Sequence, residues 1–369
     1  MYNPFNPSFG EVPSIFIDRS EIAAKLIKEL DNPNTPYKST IIYGMRGVGK
    51  TTFLTQVGNE LNKQEDWIVV NLAMGLDLFP YLINELYSQS PKTIQKLFSK
   101  IDGFSVSVLG LQIGADFKQN TPVNYQNIVK QFITALSNKG MHVLITIDEV
   151  KPTKDLQNLV ILFQLLKRQK ISVYLMMTGL PEDISELQNG DINTFLLRSE
   201  RISLSSLNLN DIKYSYSIAF KKGEIKVTDN ILNTLAIMTK GYSYAFQLLG
   251  YLVWNKASNS SKKQIDSSII KSIKDRYLLD LDRNSYSKIY SSLSAQDKKF
   301  LIAMAENSKE NVKVKDICNK LNKKSNYVSI YRQRLLDDQI IISPSYGYLS
   351  FNLPYFKEFV LQQKAFLDF

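Results

Sequence analysis

The stretch 40-TIIYGMRGVGKTTFLTQVGNELN-62 carries the pattern that most clearly predicts a fold class. It opens with an apolar, β-branched run that is typical of a strand and passes through a glycine-rich turn. It ends in a helical pattern from Thr51 to Asn62. Residues 44–51 match the pattern G-x-x-x-x-G-K-[ST] without a gap. The stretch therefore predicts a strand, a tight turn and a helix that begins where the turn ends.

This pattern has the chemistry of a phosphate cradle. Its glycines let the backbone turn and bring N–H groups to phosphates, and the positive end of the following helix faces the same anions. Lys50 adds a charge for the β- and γ-phosphates, and the Thr51 hydroxyl is suited to ligate Mg²⁺. The predicted nucleotide-binding residues are Gly44, Met45, Arg46, Gly47, Val48, Gly49, Lys50, Thr51 and Thr52. The alternative is a chance glycine-rich turn before a helix.

An acidic pair follows a second apolar run, MHVLITIDEV at 141–150. A nucleotide-bound Mg²⁺ needs a carboxylate at the end of a neighbouring strand, and Asp148 is the predicted partner, through water. Glu149 is the predicted base that orients or activates the attacking water. The alternative is two solvated acids at a strand end. No guanine-reading N-K-x-D pattern is present, so the expected cofactors are ATP and Mg²⁺.

Two polar residues at other strand ends are further candidates. Thr178 ends the run ISVYLMMTGLP, where it would reach the γ-phosphate or the water; the alternative is a turn residue before Gly179. Asn71 lies at the end of the strand Trp67–Leu72, where it would hold Glu149 inactive until a partner binds.

Two arginines flank the predicted fifth strand, in FLLRSERISL. Either Arg198 or Arg201 could act as an arginine finger on the ATP of a neighbouring subunit, where it would stabilise transition-state charge. The alternative is a surface arginine that pairs with Glu200.

The order of the elements predicts the fold class. Strand-like runs alternate with helical stretches up to about residue 207, which predicts a parallel sheet sandwiched by helices. With the glycine-rich motif at 44–51, this is the P-loop NTPase α/β fold. A β-hairpin insertion is predicted at 103–118. The expected domains are an ATPase core at 1–207, a helical lid and linker at 208–290, with a polar linker at 256–264, and a third domain at 291–369.

Composition narrows the function classes. The 369 residues carry a net charge of +10, which suits an anionic partner but also a lysine-rich solvated surface. One cysteine, Cys318, and one histidine, His142, nearly exclude a Ser-His-Asp triad, a His-rich metal site and an internal disulfide. Neither a secretory signal nor a membrane-spanning run is evident, so a cytoplasmic location is expected.

Three helices followed by a hairpin from about Ser294 predict a winged helix-turn-helix, whose third helix enters the DNA major groove. Val328, Ile330, Leu335 and Leu336 are expected to form its buried stripe. The residues predicted to contact nucleic acid are Lys323, Lys324, Asn326, Tyr327, Arg332 and Arg334. The alternative is that this module docks onto a protein partner or onto its own ATPase core.

Taken together, these residues resemble the AAA+/STAND class of P-loop ATPases, in its archaeal-type ATPase and origin-recognition-like branches. The matching pieces are Pro13–Arg19, GMRGVGKT at 44–51, LITIDEV at 144–150, YLMMTGLP at 174–181, RISLSSLN at 201–208 and GYSYAFQLLG at 241–250. The resemblance implies that Pro13 and Phe16 lie near the adenine. Where the family lid has Gly-x-Pro or a sensor arginine, this chain has Gly241-Tyr242-Ser243-Tyr244.

The resemblance implies a slow ATP-hydrolysing switch. Its nucleotide state would control oligomerisation and the engagement of DNA or protein. The alternative function is a DNA-binding regulator in which bound nucleotide is mainly structural.

Overall fold

A computed structural model of the chain describes residues 2–8, 13–15, 17, 19–98, 124–181, 183–184, 194–260 and 263–367. The hairpin predicted at 103–118 lies outside the described residues. The chain divides into two compact units. The sheet unit comprises Arg19–Tyr43 and Lys50–Ser203. The helical unit comprises Met1–Asp18, Gly44–Gly49 and Leu204–Phe369.

The sheet unit contains a five-stranded parallel sheet, as predicted. Its strands are β1 (Ser39–Tyr43), β2 (Trp67–Ala73), β3 (His142–Asp148), β4 (Val173–Gly179) and β5 (Glu200–Ser203). They lie in the order β2-β3-β4-β1-β5, and every neighbouring pair is parallel. All seven residues of β4 are buried, which explains its near-continuous apolar sequence.

Helices cover both faces of this sheet. They are α1 (Ser20–Leu30), α2 (Lys50–Leu61), α3 (Leu78–Gln89), α4 (Lys92–Phe98), α5 (Tyr125–Ser137) and α6 (Lys154–Arg168). One face packs against α3, α5 and α6 in a core that includes Leu82, Phe132 and Phe163. On the other face α2 packs across β2, β3 and β4, and the Tyr174 hydroxyl donates to the Leu30 carbonyl at the end of α1.

Helices α3 and α4 were not anticipated from the sequence. The α3 segment LFPYLINELYSQ carries Pro80 as its third residue. A proline is tolerated there because the N–H groups of the first helical turn have no partner within the helix. The buried residues Leu82 and Leu86 are four apart, as a helix face requires.

The middle of the helical unit is built from α7 (Leu209–Lys222), α8 (Asp229–Thr239), α9 (Ser243–Ser258), α10 (Ser267–Leu281) and α11 (Ser287–Ser292). The predicted polar linker at 256–264 is partly wrong. Helix α9 runs on to Ser258, and β6 (Lys226–Val227) pairs in parallel with β7 (Gln264–Ile265). A π-helical segment, Asp282–Tyr286, joins α10 to α11.

The N-terminal segment groups with these helices. Phe5 is 2% exposed, and its ring lies 5.6 Å from the ring of Tyr216 and 5.7 Å from that of Phe246. Asn3 donates to Asn255 over 2.8 Å. A buried aromatic anchor of this kind stabilises the fold by about 3 kcal/mol or more.

The C-terminal region contains the three predicted helices followed by a hairpin, and also a short strand, β8, that was not predicted. Its elements are α12 (Ala295–Ala305), β8 (Val312–Lys313), α13 (Val314–Leu321), α14 (Ser325–Asp337), β9 (Ile341–Ser345), β10 (Tyr348–Phe351) and α15 (Phe356–Leu367). Its three strands lie in the order β8-β10-β9, and both pairs are antiparallel. Helix α15 was not predicted. In the described part of the chain, no helix has the length and apolar character needed to cross a membrane.

One part of the predicted stripe on α14 is wrong. Val328 and Leu335 are fully buried, but Ile330 is 62% exposed. Residues two apart on a helix lie about 200° apart, so a residue two positions from Val328 faces away from the core. Arg332, four residues after Val328, is instead half-buried on the core side.

Candidate nucleotide site

The acidic end of β3 and the start of α2 meet directly. The Thr51 hydroxyl donates to Asp148 Oδ2 over 2.6 Å. The expectation that Asp148 comes from a strand next to β1 is wrong, since β4 lies between β1 and β3. The first turn of α2 reaches Asp148 because this helix packs across β4 and β3. Hydroxyl and carboxylate oxygens are the ligand types that Mg²⁺ takes, so the pair fits the predicted metal site.

Thr178, near the end of the intervening strand, holds the acidic pair. It is fully buried, and its hydroxyl donates to Asp148 Oδ1. The Thr178 hydroxyl oxygen also accepts the backbone N–H of Glu149 over 3.0 Å. A hydroxyl has one hydrogen to donate. The structure therefore assigns that hydrogen to Asp148, whereas the sequence predicted a contact with the γ-phosphate or the water.

Glu149 has an unusual backbone conformation. Its φ is +50°, in the left-handed region that residues with a Cβ rarely adopt. Its N–H also lies 3.1 Å from Asp148 Oδ1, and the N–H of Val150 donates to the Thr178 carbonyl over 2.8 Å. These bonds hold a strained turn of the kind that clusters at functional sites. The Glu149 side chain is exposed.

Lys50, on α2, and Asn71, on β2, are two further polar residues predicted for the nucleotide site. Lys50 is the first residue of α2 and is 8% exposed, so this charge is withdrawn from bulk solvent. Asn71 Oδ1 accepts the Thr146 hydroxyl over 2.7 Å, two residues before Asp148 on β3. The contact that the structure gives Asn71 is thus with Thr146, and its hold on Glu149 stays a prediction. Strand β2 continues to Ala73.

The phosphate loop itself, residues 44–49, belongs to the helical unit. Gly44, Gly47 and Gly49 have φ of +155°, +75° and +98°. Met45 and Val48 point into packed surroundings and are 3% and 1% exposed. The loop thus has the positive-φ turns that the glycine pattern predicted, with its two apolar side chains buried.

The start of α9 holds two consecutive carbonyls of the loop. The Tyr242 hydroxyl donates to the Arg46 carbonyl over 2.9 Å, and the Tyr244 N–H donates to the Gly47 carbonyl over 3.1 Å. Burial raises the pKa of the Tyr242 hydroxyl well above its ordinary value, so it stays protonated and able to donate.

The C-terminal region also reaches the loop. A Cβ built on Gly44 would lie 3.7 Å from Gln339 Oε1. Gln339 is in the turn between α14 and β9, and its carbonyl accepts the Asn352 side-chain amide over 2.8 Å. Sequence reasoning missed Tyr242 and Gln339 as loop contacts. For Tyr242, the one sequence feature that could have indicated the contact is its place in the lid motif. No sequence feature pointed to Gln339.

The remaining nucleotide-site predictions are less constrained by the structure. Arg198, at the end of a short 3-10 helix, and Arg201, on β5, are both exposed. Pro13 is buried in the helical unit, and Phe16 lies outside the described residues. The arginine-finger and adenine roles stay predictions.

The predicted nucleic-acid residues divide into two groups. Lys323, Lys324 and Asn326 are exposed around the start of α14, and the Lys323 ammonium lies 5.3 Å from the Tyr327 ring centre. The two arginines contact the protein, although the Arg334 side chain is 44% exposed. Arg334 pairs with the buried Asp297 over 2.6 Å, and Arg332 Nε is buried without a hydrogen-bond partner among the described residues.

The comparisons with known proteins agree with this geometry. Residues 19–168 match the KAP family P-loop domain. Residues 283–360 match a domain of unknown function, DUF8462. A search of curated proteins gave no match. The five-stranded parallel sheet and the match over residues 19–168 confirm the predicted P-loop NTPase fold for this part of the chain.

Two solved structures resemble the chain over nearly its whole length. The Walker-type ATPase PABY2304 of Pyrococcus abyssi is 16% identical, with 94% of this chain and 96% of that chain covered and a TM-score of 0.57. The ORC2 protein of Aeropyrum pernix, solved as ADPNP–ADP complexes, is 12% identical, with 97% and 98% covered and a TM-score of 0.61. At such low identity the likeness establishes the fold alone.

Proposed function

We propose that this chain binds ATP with Mg²⁺ and hydrolyses it slowly, as a molecular switch. The observation that carries the proposal is the 2.6 Å hydrogen bond between Thr51 and Asp148. It places the hydroxyl of the phosphate-loop motif beside the carboxylate at the end of β3. A phosphate-binding motif and a metal-binding acid in contact are what nucleotide–Mg²⁺ binding requires.

The residues have separate roles in this proposal. The loop amides and Lys50 bind the phosphates, and Thr51 and Asp148 hold Mg²⁺. Bound Mg²⁺ neutralises charge on the β- and γ-phosphates. Glu149 accepts a proton from the attacking water or orients it, and Thr178 keeps the acidic pair in place. No triad or redox group is involved, which fits the single histidine and single cysteine.

Titration with fluorescent ATP and a phosphate-release assay test this function. Lys50→Ala should weaken ATP binding by about 100-fold, because it removes a buried charge opposite the phosphates. Glu149→Gln should bind ATP normally but hydrolyse it at least about 100-fold more slowly. Lys139→Ala and Glu65→Gln, two exposed positions in the same unit, are the matched controls. Undiminished ATP affinity in Lys50→Ala would end the proposal.

The nucleotide state would be transmitted to the C-terminal region. This transmission is supported by the position of Gln339 beside Gly44 and by the hydrogen bonds that Tyr242 and Tyr244 donate to two loop carbonyls. Oligomerisation, with Arg198 or Arg201 completing a neighbour's site, belongs to the same proposal, and both side chains are exposed. Light scattering after size exclusion, with ATP–Mg²⁺ or with ADP, tests it. A mass that does not depend on the nucleotide would contradict an oligomerising switch.

A second candidate function is DNA binding through the C-terminal region as a winged helix. The observation that favours it is the exposed, cationic start of α14, with Lys323, Lys324 and Asn326. Helix α14 is the third of three helices, after α12 and α13, and it precedes an antiparallel hairpin, as in winged-helix proteins. In the alternative form of this function, bound nucleotide is structural. Such a protein would bind DNA equally well with ATP, with ADP and as the Glu149→Gln variant.

A further inference from the structure

Two adjacent peptide groups of the phosphate loop are fixed by hydrogen bonds to their carbonyls. The Arg46 carbonyl accepts the Tyr242 hydroxyl over 2.9 Å, and the Gly47 carbonyl accepts the Tyr244 N–H over 3.1 Å. A peptide group is planar, and in the trans form its C=O and N–H point in opposite directions. A carbonyl held toward Tyr242 therefore directs the Gly47 N–H away from Tyr242.

Contact between the loop and Tyr242 leaves no room for a side chain. A Cβ on residue 47 would lie 2.4 Å from the Tyr242 hydroxyl oxygen and 3.1 Å from the Tyr244 Cβ. Gly47 also has a φ of +75°, which a residue with a Cβ rarely adopts. The glycine of the phosphate-loop motif is thus required here by the tyrosine as well as by the turn.

The Tyr242 hydroxyl has a second partner, Ser285 Oγ, at 2.6 Å. A carbonyl only accepts, so the tyrosine hydrogen goes to Arg46 and the Ser285 hydroxyl donates to Tyr242. Both side chains are almost fully buried, at 1% and 0% exposed. Ser285 belongs to the π-helical segment, whose next residue, Tyr286, donates to the Pro354 carbonyl over 2.5 Å.

We propose that Tyr242 is a positioning residue for phosphate binding: its hydroxyl fixes the peptide between Arg46 and Gly47 so that the Gly47 N–H faces the nucleotide phosphates. The inference rests on the proposed nucleotide-binding function and extends it to the lid. The same hydroxyl connects the loop to the π-helical segment. A shift of the loop on nucleotide binding would therefore be passed to this segment through the buried hydrogen bonds from Arg46 to Tyr242 and from Tyr242 to Ser285.

Tyr242→Phe tests the inference, because it keeps the buried ring and removes only the hydroxyl. Hydrogen exchange of the nucleotide-free protein is measured on the peptide that spans residues 44–51. We expect its exchange to speed up about tenfold, which corresponds to the loss of one buried hydrogen bond. In ATP hydrolysis the KM should rise about tenfold while kcat stays within about twofold, since Thr51, Asp148 and Glu149 are untouched.

Two further variants separate positioning from general loosening. Tyr216→Phe removes an equally buried hydroxyl, which donates to the Phe246 carbonyl over 2.7 Å and does not touch the loop. It should leave loop exchange and KM unchanged. Ser285→Ala keeps the bond to Arg46 and should change KM by less than about threefold.

The outcomes are distinct. If Tyr242→Phe leaves loop exchange or KM as in the wild type, or if Tyr216→Phe or Ser285→Ala matches its effect, the positioning role is overturned. If the wild-type chain binds no ATP, the proposed function fails. Loop exchange in the nucleotide-free variants then still decides whether Tyr242 orders the loop. A rise in exchange and KM confined to Tyr242→Phe supports the inference.

Discussion

Thr51 Oγ1 and Asp148 Oδ2 lie 2.6 Å apart although 97 residues separate them in the chain. The two atoms belong to the first turn of α2 and the last residue of β3. The contact forms because α2 packs across β4 and β3 rather than over its own preceding strand alone. The contact joins the last residue of the motif at 44–51 to the acidic end of β3.

The Thr51 hydroxyl should be needed for magnesium-dependent binding. In Thr51→Val, the gain in ATP affinity on adding Mg²⁺ should fall about tenfold or more, because the metal has one oxygen ligand fewer. Thr51→Ser keeps the hydroxyl and should stay within about threefold of the wild type. Fluorescent-ATP titrations with Mg²⁺ and with EDTA measure both. Equal magnesium dependence in the valine variant would remove Thr51 from the metal site.

Thr178 should support the acidic pair rather than the nucleotide. Thr178→Val leaves the Asp148 carboxylate and the Glu149 N–H each short of a partner, so unfolding free energy should fall by about 1–3 kcal/mol. Hydrolysis should slow while ATP affinity without metal stays unchanged. Urea denaturation and the phosphate-release assay measure these effects. Thr178→Ser is the control, and full stability in the valine variant would contradict the assignment.

The two groups of cations on α14 should behave differently. Replacing both Lys323 and Lys324 with Ala should weaken binding to a random-sequence DNA duplex. It should also reduce the slope of log K against log salt by about 0.9 for each DNA phosphate that the variant no longer neutralises. Stability should not change, because both side chains are exposed. Unchanged affinity and slope would rule out this helix as a DNA-binding element.

Arg334 should matter for folding instead. Asp297 is 2% exposed in its ion pair with Arg334, and the same carboxylate accepts the Ser294 N–H at the start of α12. Arg334→Ala should therefore cost about 1–3 kcal/mol of unfolding free energy, since it leaves a buried carboxylate without its cation. Urea denaturation measures this, with exposed Lys324→Ala as the control. Weaker DNA binding at full stability would restore Arg334 as a DNA-binding residue.

Asp282 should make stability depend on pH. Burial raises the pKa of its carboxyl to about 6, above the value of about 3.9 in an unfolded chain. A group with a raised folded pKa contributes stability below about pH 4, and this contribution is lost as the pH rises through about 6. Asp282→Asn should thus be more stable than the wild type at pH 7.5, with a smaller advantage at pH 5. Urea midpoints at both pH values test this, and a constant difference would contradict it.

Much of the fold was predictable because it depends on local patterns. The sequence pattern predicts helices at 314–321 and 325–337, and α13 and α14 have these bounds. The apolar runs predict strands at 141–147 and 171–177, and β3 and β4 are shifted from them by one and two residues. The exposed Ile330 was misplaced because a mixed apolar stripe leaves its phase on the helix uncertain by one position. Helix α3 was missed because proline in its first turn masks the pattern.

The phosphate-loop motif, the acidic strand end and the alternation of strands and helices could be predicted from the sequence, since each depends on one short stretch of chain. The folded chain was needed to show that β4 lies between β1 and β3, that Thr178 and Asn71 bond to Asp148 and Thr146, and that Tyr242 bonds to the loop. Strand order and hydrogen-bond partners between distant residues follow from packing the whole core at once. The spacing of apolar residues along the chain predicts strands and helices, but it does not predict the order of the strands or which distant residues bond to one another.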